Sequence, residues 1–91
     1  MQSVIMIRCT PEDYATWIKE HDGCREARLD YGITDGPVYR DATDPGSWLV
    51  HLDCEDMDRA KRWFSDERFK AGVQRAGKVT RRIYFAQPKV D

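Results

Sequence analysis

Residues 48–77 constrain the fold of this chain more than any other part of the sequence. They begin with Trp-Leu-Val-His-Leu-Asp-Cys, in which apolar and polar residues alternate as they do in a half-buried strand. A helix then opens at Glu55 and Asp56, and Ser65, followed by two acidic residues, carries the signal for a second helix start. We therefore expect a strand followed by a helix that breaks into two pieces before Gly77.

The segment at the start of the chain predicts a strand and a bent helix. Residues 3–9 are few and rich in Val and Ile, which is typical of a strand. Thr10 is expected to cap the helix that follows, because Pro11 suits a first helical position and acidic residues come next. That helix is expected to bend at Gly23, which weakens a helix by about 1 kcal/mol relative to alanine, and to end at Gly32.

Two more strands complete the predicted order of elements. Residues 33–40 pair with residues 48–54 across residues 41–46, which contain the Asp, Pro and Gly typical of a turn, and residues 82–86 form the last strand. The order β-α-β-β-α-β over residues 1–91 predicts one α+β domain of the ferredoxin-like type, a four-stranded antiparallel sheet with helices on one face. A chain of 91 residues has interior for a single core.

Side-chain alternation along the strands divides the predicted sheet into two faces. One face is apolar and is expected to pack beneath the helices: Ile5, Ile7, Val38, Val50, Leu52, Ile83 and Phe85. The other, here called the open face, mixes aromatic, apolar and charged residues: Met6, Arg8, Tyr39, Leu49, His51, Asp53, Arg82 and Tyr84. Such a mixture suits a semi-polar interface between two sheets better than a solvent surface. We therefore expect a homodimer.

Composition narrows the class of protein. Charged residues make up 34% of the chain but nearly cancel to a net charge of −1, so no global field would attract nucleic acid or an anionic membrane. The longest apolar run, residues 4–7, is too short to span a bilayer. Cys9, Cys24 and Cys54 are odd in number and lack the spacing of a zinc site, so we expect buried thiols, no metal and a cytoplasmic protein. No motif implies a cofactor.

Four short motifs carry a resemblance that spans nearly the whole chain. They are Asp-Tyr-Ala-x-Trp in residues 13–17, Tyr-Arg-Asp-x-x-Asp-Pro-Gly in 39–46, Phe-x-x-x-Val-x-x-Ala-Gly in 69–77 and Ile-Tyr-Phe in 83–85. Together they resemble the small dimeric α/β-barrel proteins of the antibiotic biosynthesis monooxygenase-like superfamily. The resemblance implies a homodimer in which two four-stranded sheets face each other as a barrel. It also implies, in some members, cofactor-independent oxygenation of aromatic polyketides or haem degradation, while many members have no known activity.

The resemblance also indicates where a site would lie. The monooxygenase members that this chain resembles use an asparagine with a tryptophan and a basic residue, whereas this sequence contains no asparagine. Trp63 is the candidate counterpart of the tryptophan, and His51 or Arg8 is the candidate basic group. The absence of asparagine makes the family's signature incomplete.

His51 is the candidate catalytic residue, because histidine titrates near pH 6.5 and can act as a general base at neutral pH. Tyr39 and Tyr84 are candidates for orienting a substrate oxygen, and Trp63 and Phe64 for enclosing an aromatic ring. A structural interpretation stands beside each role. The histidine and the tyrosines would form hydrogen bonds in a subunit interface, and the helix aromatics would belong to the core.

The remaining polar candidates have mainly structural interpretations. Arg8 would either pair with Asp53 on the neighbouring strand or bind substrate. His21 lies among charged residues and is expected to be exposed. A solvated surface, and not a nucleic-acid site, is expected of the basic residues Arg75, Lys78, Arg81 and Arg82.

The sequence leaves two functions open. One is a small-molecule-binding or cofactor-independent monooxygenase-like protein that acts on a hydrophobic aromatic compound. The other is a non-catalytic homodimeric module whose open face serves assembly. The two differ in one structural feature, since a binding protein needs an apolar cavity that opens to solvent.

Overall fold

A four-stranded antiparallel sheet organises residues 3–89, the part of the chain that the computed structural model describes. Its strands are β1 (Ser3–Pro11), β2 (Ile33–Arg40), β3 (Trp48–Cys54) and β4 (Val79–Ala86), in the order β2-β3-β1-β4. The first strand is therefore central and pairs with both β3 and β4. This arrangement confirms the predicted ferredoxin-like α+β fold.

Each of the two helical regions is broken into shorter pieces, as the sequence predicted. The first consists of α1 (Tyr14–Gly23) and α2 (Arg25–Leu29), and the second of α3 (Met57–Lys61), a 3-10 turn (Arg62–Ser65) and α4 (Glu67–Arg75). The chain leaves the two regions at Gly32 and Gly77, whose φ angles of 68° and 76° lie in the left-handed region that favours glycine.

The predicted start of the first helix is wrong by three residues. Thr10 and Pro11 belong to β1, where they pair with Thr80 and Val79 of β4. The cap is Asp13, whose carboxylate accepts a hydrogen bond from the backbone N–H of Thr16 at 3.2 Å. Strand pairing with a distant segment thus overrides a local helix signal.

The ends of two other elements also differ from the prediction. The second break is capped by Asp66 and not by Ser65, because the Asp66 carboxylate accepts from the backbone N–H of Arg68 at 2.7 Å. Strand β4 begins at Val79, three residues before the predicted start at Arg82, since β1 extends far enough to pair with it.

The core lies between the helices and one face of the sheet. The register pairs Ile5 with Leu52 and Phe85, and Ile7 with Val50 and Ile83, so the predicted apolar set shares this face. Helix residues complete the core, and its largest buried side chains include Trp17, Trp63, Ile5, Ile33 and Leu52. Removing an aromatic of this kind typically costs about 3–5 kcal/mol, so the two tryptophans hold the helices on the sheet.

The opposite face of the sheet carries no helix in residues 3–89. Four large side chains with apolar surface are 40–58% exposed there: Met6, Tyr39, Leu49 and Tyr84. This is the predicted open face, and its composition confirms the predicted alternation. No helix among the described residues is long and apolar enough to cross a membrane.

Strand β2 is irregular at one point of the open face. Its register with β3 shifts between Asp35 and Val38, and Gly36 lies in the shifted stretch. A Cβ atom at Gly36 would lie 2.8 Å from the carbonyl oxygen of His51 and 2.9 Å from that residue's ring. The absence of a side chain at Gly36 therefore lets β2 approach the imidazole of His51.

Candidate functional site

A cavity of about 60 Å³ lies between the helices and the sheet and opens to solvent. The sheet contributes Ile7, Val50 and Ile83 to its wall. The helical side contributes Trp17, Trp63, Phe64 and Phe69, and the rings of Phe64 and Phe69 meet edge to face at 5.1 Å. This wall is apolar and largely aromatic, as the walls of small-molecule sites usually are.

One end of the cavity is polar. Four chargeable side chains line it: Glu20, His21, Arg28 and Arg81. Glu20 accepts a hydrogen bond from Nε of Arg75 at 2.7 Å, and Arg28 is paired as described below. Arg81 makes no hydrogen bond or salt bridge to any side chain within residues 3–89. The cavity therefore combines an aromatic wall with an uncompensated guanidinium.

His21 enters this cavity from the last turn of α1. Its ring stacks on Trp17, four residues earlier on the same helix face, with centroids 5.9 Å apart and planes 27° apart. The break at Cys24 leaves the His21 carbonyl at a helix end, where it accepts a hydrogen bond from Nη2 of Arg28 at 2.6 Å. The helix end and the stacked ring together fix the side chain.

The environment keeps the imidazole of His21 neutral. Burial and the nearby Arg28 charge lower its pKa from 6.5 to about 4, against the opposing effect of Asp35 and Asp22. A neutral imidazole offers one hydrogen-bond donor and one acceptor. A base of such low pKa is poorly matched to a phenol, whose pKa lies near 10, so His21 is suited to hydrogen bonding and not to proton abstraction.

The sequence interpretation of His21 as an exposed residue is therefore wrong. Its charged neighbours in the sequence do point to solvent, but Trp17 at i−4 draws the ring inward. The expected solvent position of Arg81 is also wrong, because Arg81 pairs with Cys9 in the β1–β4 register and so lies on the helix-covered face. Alternation along β4 could have indicated this, since Arg81 and Ile83 are two residues apart.

A buried ion pair supports the polar end. Arg28 is only 4% exposed, and its Nε and Nη2 atoms each donate to a different carboxylate oxygen of Asp35 at 2.7 Å. Burial tends to raise the pKa of Asp35, but the hydrogen bonds and charge of Arg28 outweigh burial and hold that pKa below its usual range. The pair ties α2 to β2 directly behind His21.

The Cys9 thiol at the cavity is unreactive. Cys9 and Cys24 line it and are free, as is Cys54 elsewhere in the core. Burial raises the pKa of Cys9 to about 11 despite the nearby Arg81 charge. A thiol with this pKa is not a thiolate at neutral pH, so Cys9 serves as an apolar wall residue.

The candidate catalytic residue His51 lies on the open face. Its Nε2 atom is 3.1 Å from Oδ1 of Asp53, and each of the two side chains is about one third exposed. An aspartate so placed orients an imidazole and selects its tautomer. Tyr39 and Tyr84 lie on the same face and are about half exposed.

Arg8 also lies on the open face, but its partner is not the predicted one. Its Nη2 atom donates to Asp44 at 2.8 Å, and its Nε atom is 3.6 Å from Asp41. The register places Arg8 opposite Leu49 and places Asp53 opposite Val4. Asp53 is thus too far along the strand, and the turn between β2 and β3 supplies the carboxylates.

The sheet separates the predicted site residues into two groups. Trp63 and Phe64 line the cavity beneath the helices, whereas the other candidates lie on the open face: Arg8, Tyr39, His51 and Tyr84. A small ligand in the cavity would contact the first group and not the second. Within residues 3–89, no three His, Cys, Asp or Glu side chains cluster in a way that could hold a metal ion.

Comparison with known proteins gives a fold but no sequence family. No protein-family model matches the sequence, and neither does any curated protein. Solved structures match over nearly the whole chain. One is SnoaB, a cofactor-independent oxygenase from Streptomyces nogalater, with a TM-score of 0.71, 12% identity and coverage of 98% of this chain and 96% of that chain.

Two further structures are similar. Rv0793 from Mycobacterium tuberculosis has a TM-score of 0.68 and 9% identity, with both chains covered completely. A proposed antibiotic biosynthesis monooxygenase from Caulobacter crescentus has a TM-score of 0.62 and 17% identity, with 96% of this chain and 92% of that chain covered. The chain thus has the fold of antibiotic biosynthesis monooxygenase-like proteins, which confirms the predicted resemblance at the level of the fold.

Proposed function

We propose that the chain binds a small hydrophobic aromatic compound in the cavity beneath the helices, as a protein of the monooxygenase-like type. The observation that carries the proposal is the cavity itself, which has an aromatic wall at Trp63 and Phe64 and a polar end at His21 and Arg81. Apolar pockets with a few convergent polar groups are the usual form of a ligand site. The likeness of the fold to SnoaB, a cofactor-independent oxygenase, supports the monooxygenase-like part of the proposal.

The size of the cavity limits the ligand. Its volume of about 60 Å³ is far below the roughly 300 Å³ at which drug-sized sites begin and below the roughly 150 Å³ that enclose benzene completely. A single ring would enter partway from the open mouth or displace the side chains there. A fused polycyclic compound requires that α4 move away from the sheet.

A thermal-shift screen tests the binding proposal. The panel contains single-ring phenols, quinones, an aromatic polyketide and haem. A ligand at ten times its Kd adds about 1.4 kcal/mol to the free energy of unfolding, which raises the Tm of a domain of this size by roughly 6–11 °C. The shift should vanish in Phe64→Ala and persist in the control Phe85→Ala, because Phe85 packs on Phe64 but does not line the cavity. A panel that gives no shift contradicts the proposal.

A catalytic role would use the open face. We propose His51 as the base in that case, since Asp53 orients its ring, with Tyr39, Tyr84 and Arg8 around the substrate oxygen. Molecular oxygen would then react directly with the deprotonated compound. Oxygen uptake tests this role with any compound of the screen whose thermal shift persists in Phe64→Ala, because such a compound binds outside the cavity. Uptake should fall at least tenfold in His51→Gln, and uptake that is unchanged in that variant excludes His51 as the base.

The second candidate function is a homodimeric module without catalysis, and one observation favours it. The open face presents four large side chains with apolar surface that are 40–58% exposed, and such patches mark interaction sites. We propose that a second copy of this chain covers the face. Met6→Glu, on the central strand, should then give a monomer in light scattering, whereas Leu29→Glu, which is equally exposed but lies on α2, should not. A wild-type monomer at micromolar concentration contradicts the dimer.

A further inference from the structure

The polar end of the cavity contains two groups to which the proposed function assigns no partner on the ligand. The imidazole of His21 lines the cavity, and neither of its ring nitrogens has a hydrogen-bond partner within residues 3–89. The guanidinium of Arg81 lines the same cavity and has no acidic partner in that part of the chain. Both are therefore available to a ligand.

The position of His21 is held from two sides. Its ring stacks on Trp17, which is 3% exposed, and its carbonyl is bonded to Arg28, which Asp35 fixes in turn. A side chain held in this way loses little conformational entropy when a ligand forms a hydrogen bond to it. The ring is neutral, so a hydroxyl group can either donate to the unprotonated nitrogen or accept from the protonated one.

The charges around the polar end favour an anion as the second ligand group. Arg28 is neutralised by Asp35, and Glu20 by Arg75. Among the cavity side chains of residues 3–89, the charge of Arg81 is left without a partner. A half-buried guanidinium binds a carboxylate especially well, because it can donate two parallel hydrogen bonds to it.

We propose that His21 and Arg81 are specificity residues that select a single aromatic ring carrying both a hydroxyl and a carboxylate group, the class of the hydroxybenzoates. The hydroxyl pairs with His21, the carboxylate pairs with Arg81, and the ring lies against Trp63 and Phe64. This assignment rests on the proposed function, because it specifies the ligand of the same cavity.

Isothermal titration with four probes tests the assignment. The probes are 3-hydroxybenzoate, 4-hydroxybenzoate, benzoate, which lacks the hydroxyl, and phenol, which lacks the carboxylate. The better hydroxybenzoate should bind about tenfold more tightly than benzoate or phenol, since each lost hydrogen bond of this kind weakens binding by roughly that factor. The preference over benzoate should disappear in His21→Leu and partly return in His21→Gln, which keeps a donor and an acceptor.

The second arm concerns the guanidinium. Arg81→Met should abolish the tighter binding of the hydroxybenzoate relative to phenol, and leave unchanged the ratio of the Kd of benzoate to that of the hydroxybenzoate. Arg82→Met is the matched control, because Arg82 is the next residue of β4 but lies on the open face, and it should change neither ratio. Circular dichroism of each variant confirms that it is folded before titration.

The outcomes separate this inference from the proposed function. If benzoate and phenol bind in a Phe64-dependent manner while the hydroxybenzoates have no advantage over them, the ligand site stands and the roles of His21 and Arg81 are refuted. If the ratios persist in His21→Leu and Arg81→Met, the assignment of these two residues is wrong. If no probe binds at millimolar concentration, the inference fails; the proposed function fails with it only if the thermal-shift panel also gives no shift.

Discussion

Replacing Arg28 with methionine removes the cation that compensates a buried carboxylate. Asp35 then keeps the exposed Arg25 as its remaining salt-bridge partner within residues 3–89, at a position where its own side chain is only 9% exposed. Breaking a buried pair in this way typically costs about 3–5 kcal/mol. A chain of this length is expected to be stable by about 5–14 kcal/mol in total. The Arg28→Met variant should therefore remain folded, but with a much smaller free energy of unfolding than the wild type.

Urea unfolding followed by tryptophan fluorescence measures this loss, because Trp17 and Trp63 are buried. With an m-value of about 1.5 kcal/mol/M, the midpoint should fall by about 2–3 M. Arg25→Met is the matched control. Arg25 also contacts Asp35, at 3.3 Å, but its side chain is 61% exposed, and such surface pairs contribute at most about 1 kcal/mol.

A double variant and the pH dependence sharpen the prediction. Arg28→Met combined with Asp35→Leu should be more stable than Arg28→Met alone, because no unpaired charge is left. In the wild type the pKa of Asp35 is lowered, so its contribution is complete above the unfolded pKa of about 3.9 and is lost as the pH falls below that value. Equal losses in Arg28→Met and Arg25→Met, or additive losses in the double variant, would refute the reasoning.

Three further changes test other parts of the structure. Gly36→Ala places a carbon 2.8 Å from the His51 carbonyl oxygen and should lower the free energy of unfolding, measured with urea, by about 1–3 kcal/mol. The control is Gly23→Ala, whose added carbon has nothing within 4 Å and which should be neutral or raise that free energy by up to about 1 kcal/mol. The pKa of Asp66 is lowered, mainly by its hydrogen bonds to the Arg68 side chain. The Tm of the wild type should therefore fall more steeply than the Tm of Asp66→Ala as the pH falls below about 4. Two Tm curves that stay parallel across that pH range would contradict this. The pKa of His21 is lowered to about 4, so as the pH falls the imidazole is protonated in the unfolded chain before it is protonated in the folded one. Between pH 6.5 and 4 the Tm of the wild type should therefore fall more than the Tm of His21→Gln. A difference in Tm between the wild type and His21→Gln that does not change with pH would show that folding does not lower the pKa of the His21 ring.

The alternation of side chains predicted the fold well because it is a local consequence of the strand backbone. Both faces of the sheet contain the expected residues, and both helical regions break close to the predicted positions, Gly23 and Ser65. The start of the first helix was predicted wrongly because Thr10 and Pro11 pair with β4, almost seventy positions later in the chain. No local signal contains that contact.

The site was less predictable because it depends on the register between strands. Arg8 pairs with Asp44 and not with Asp53, since the antiparallel register places the turn beside it. His21 was assigned to solvent from its charged neighbours in the sequence, and Arg81 as one of a group of basic residues. Each nevertheless lies at a helical or strand spacing from a core residue, namely the buried Trp17 and the partly buried Ile83. Periodicity was the better guide at both positions.

The central place of β1 determines when this sheet can form. Residues near Val4 pair with residues near Asp53 on one side and with Ala86 on the other. During synthesis β1 is therefore made before the other three strands of the sheet, but it cannot be paired on both sides until β4, the last of the four, has been made. Contacts of such wide sequence separation slow folding. Until Val79–Ala86 arrive, β1 presents an unpaired edge that can recruit a strand from another chain. A chain cut before Val79 should therefore aggregate, and chaperone binding during synthesis should concentrate on Ser3–Pro11.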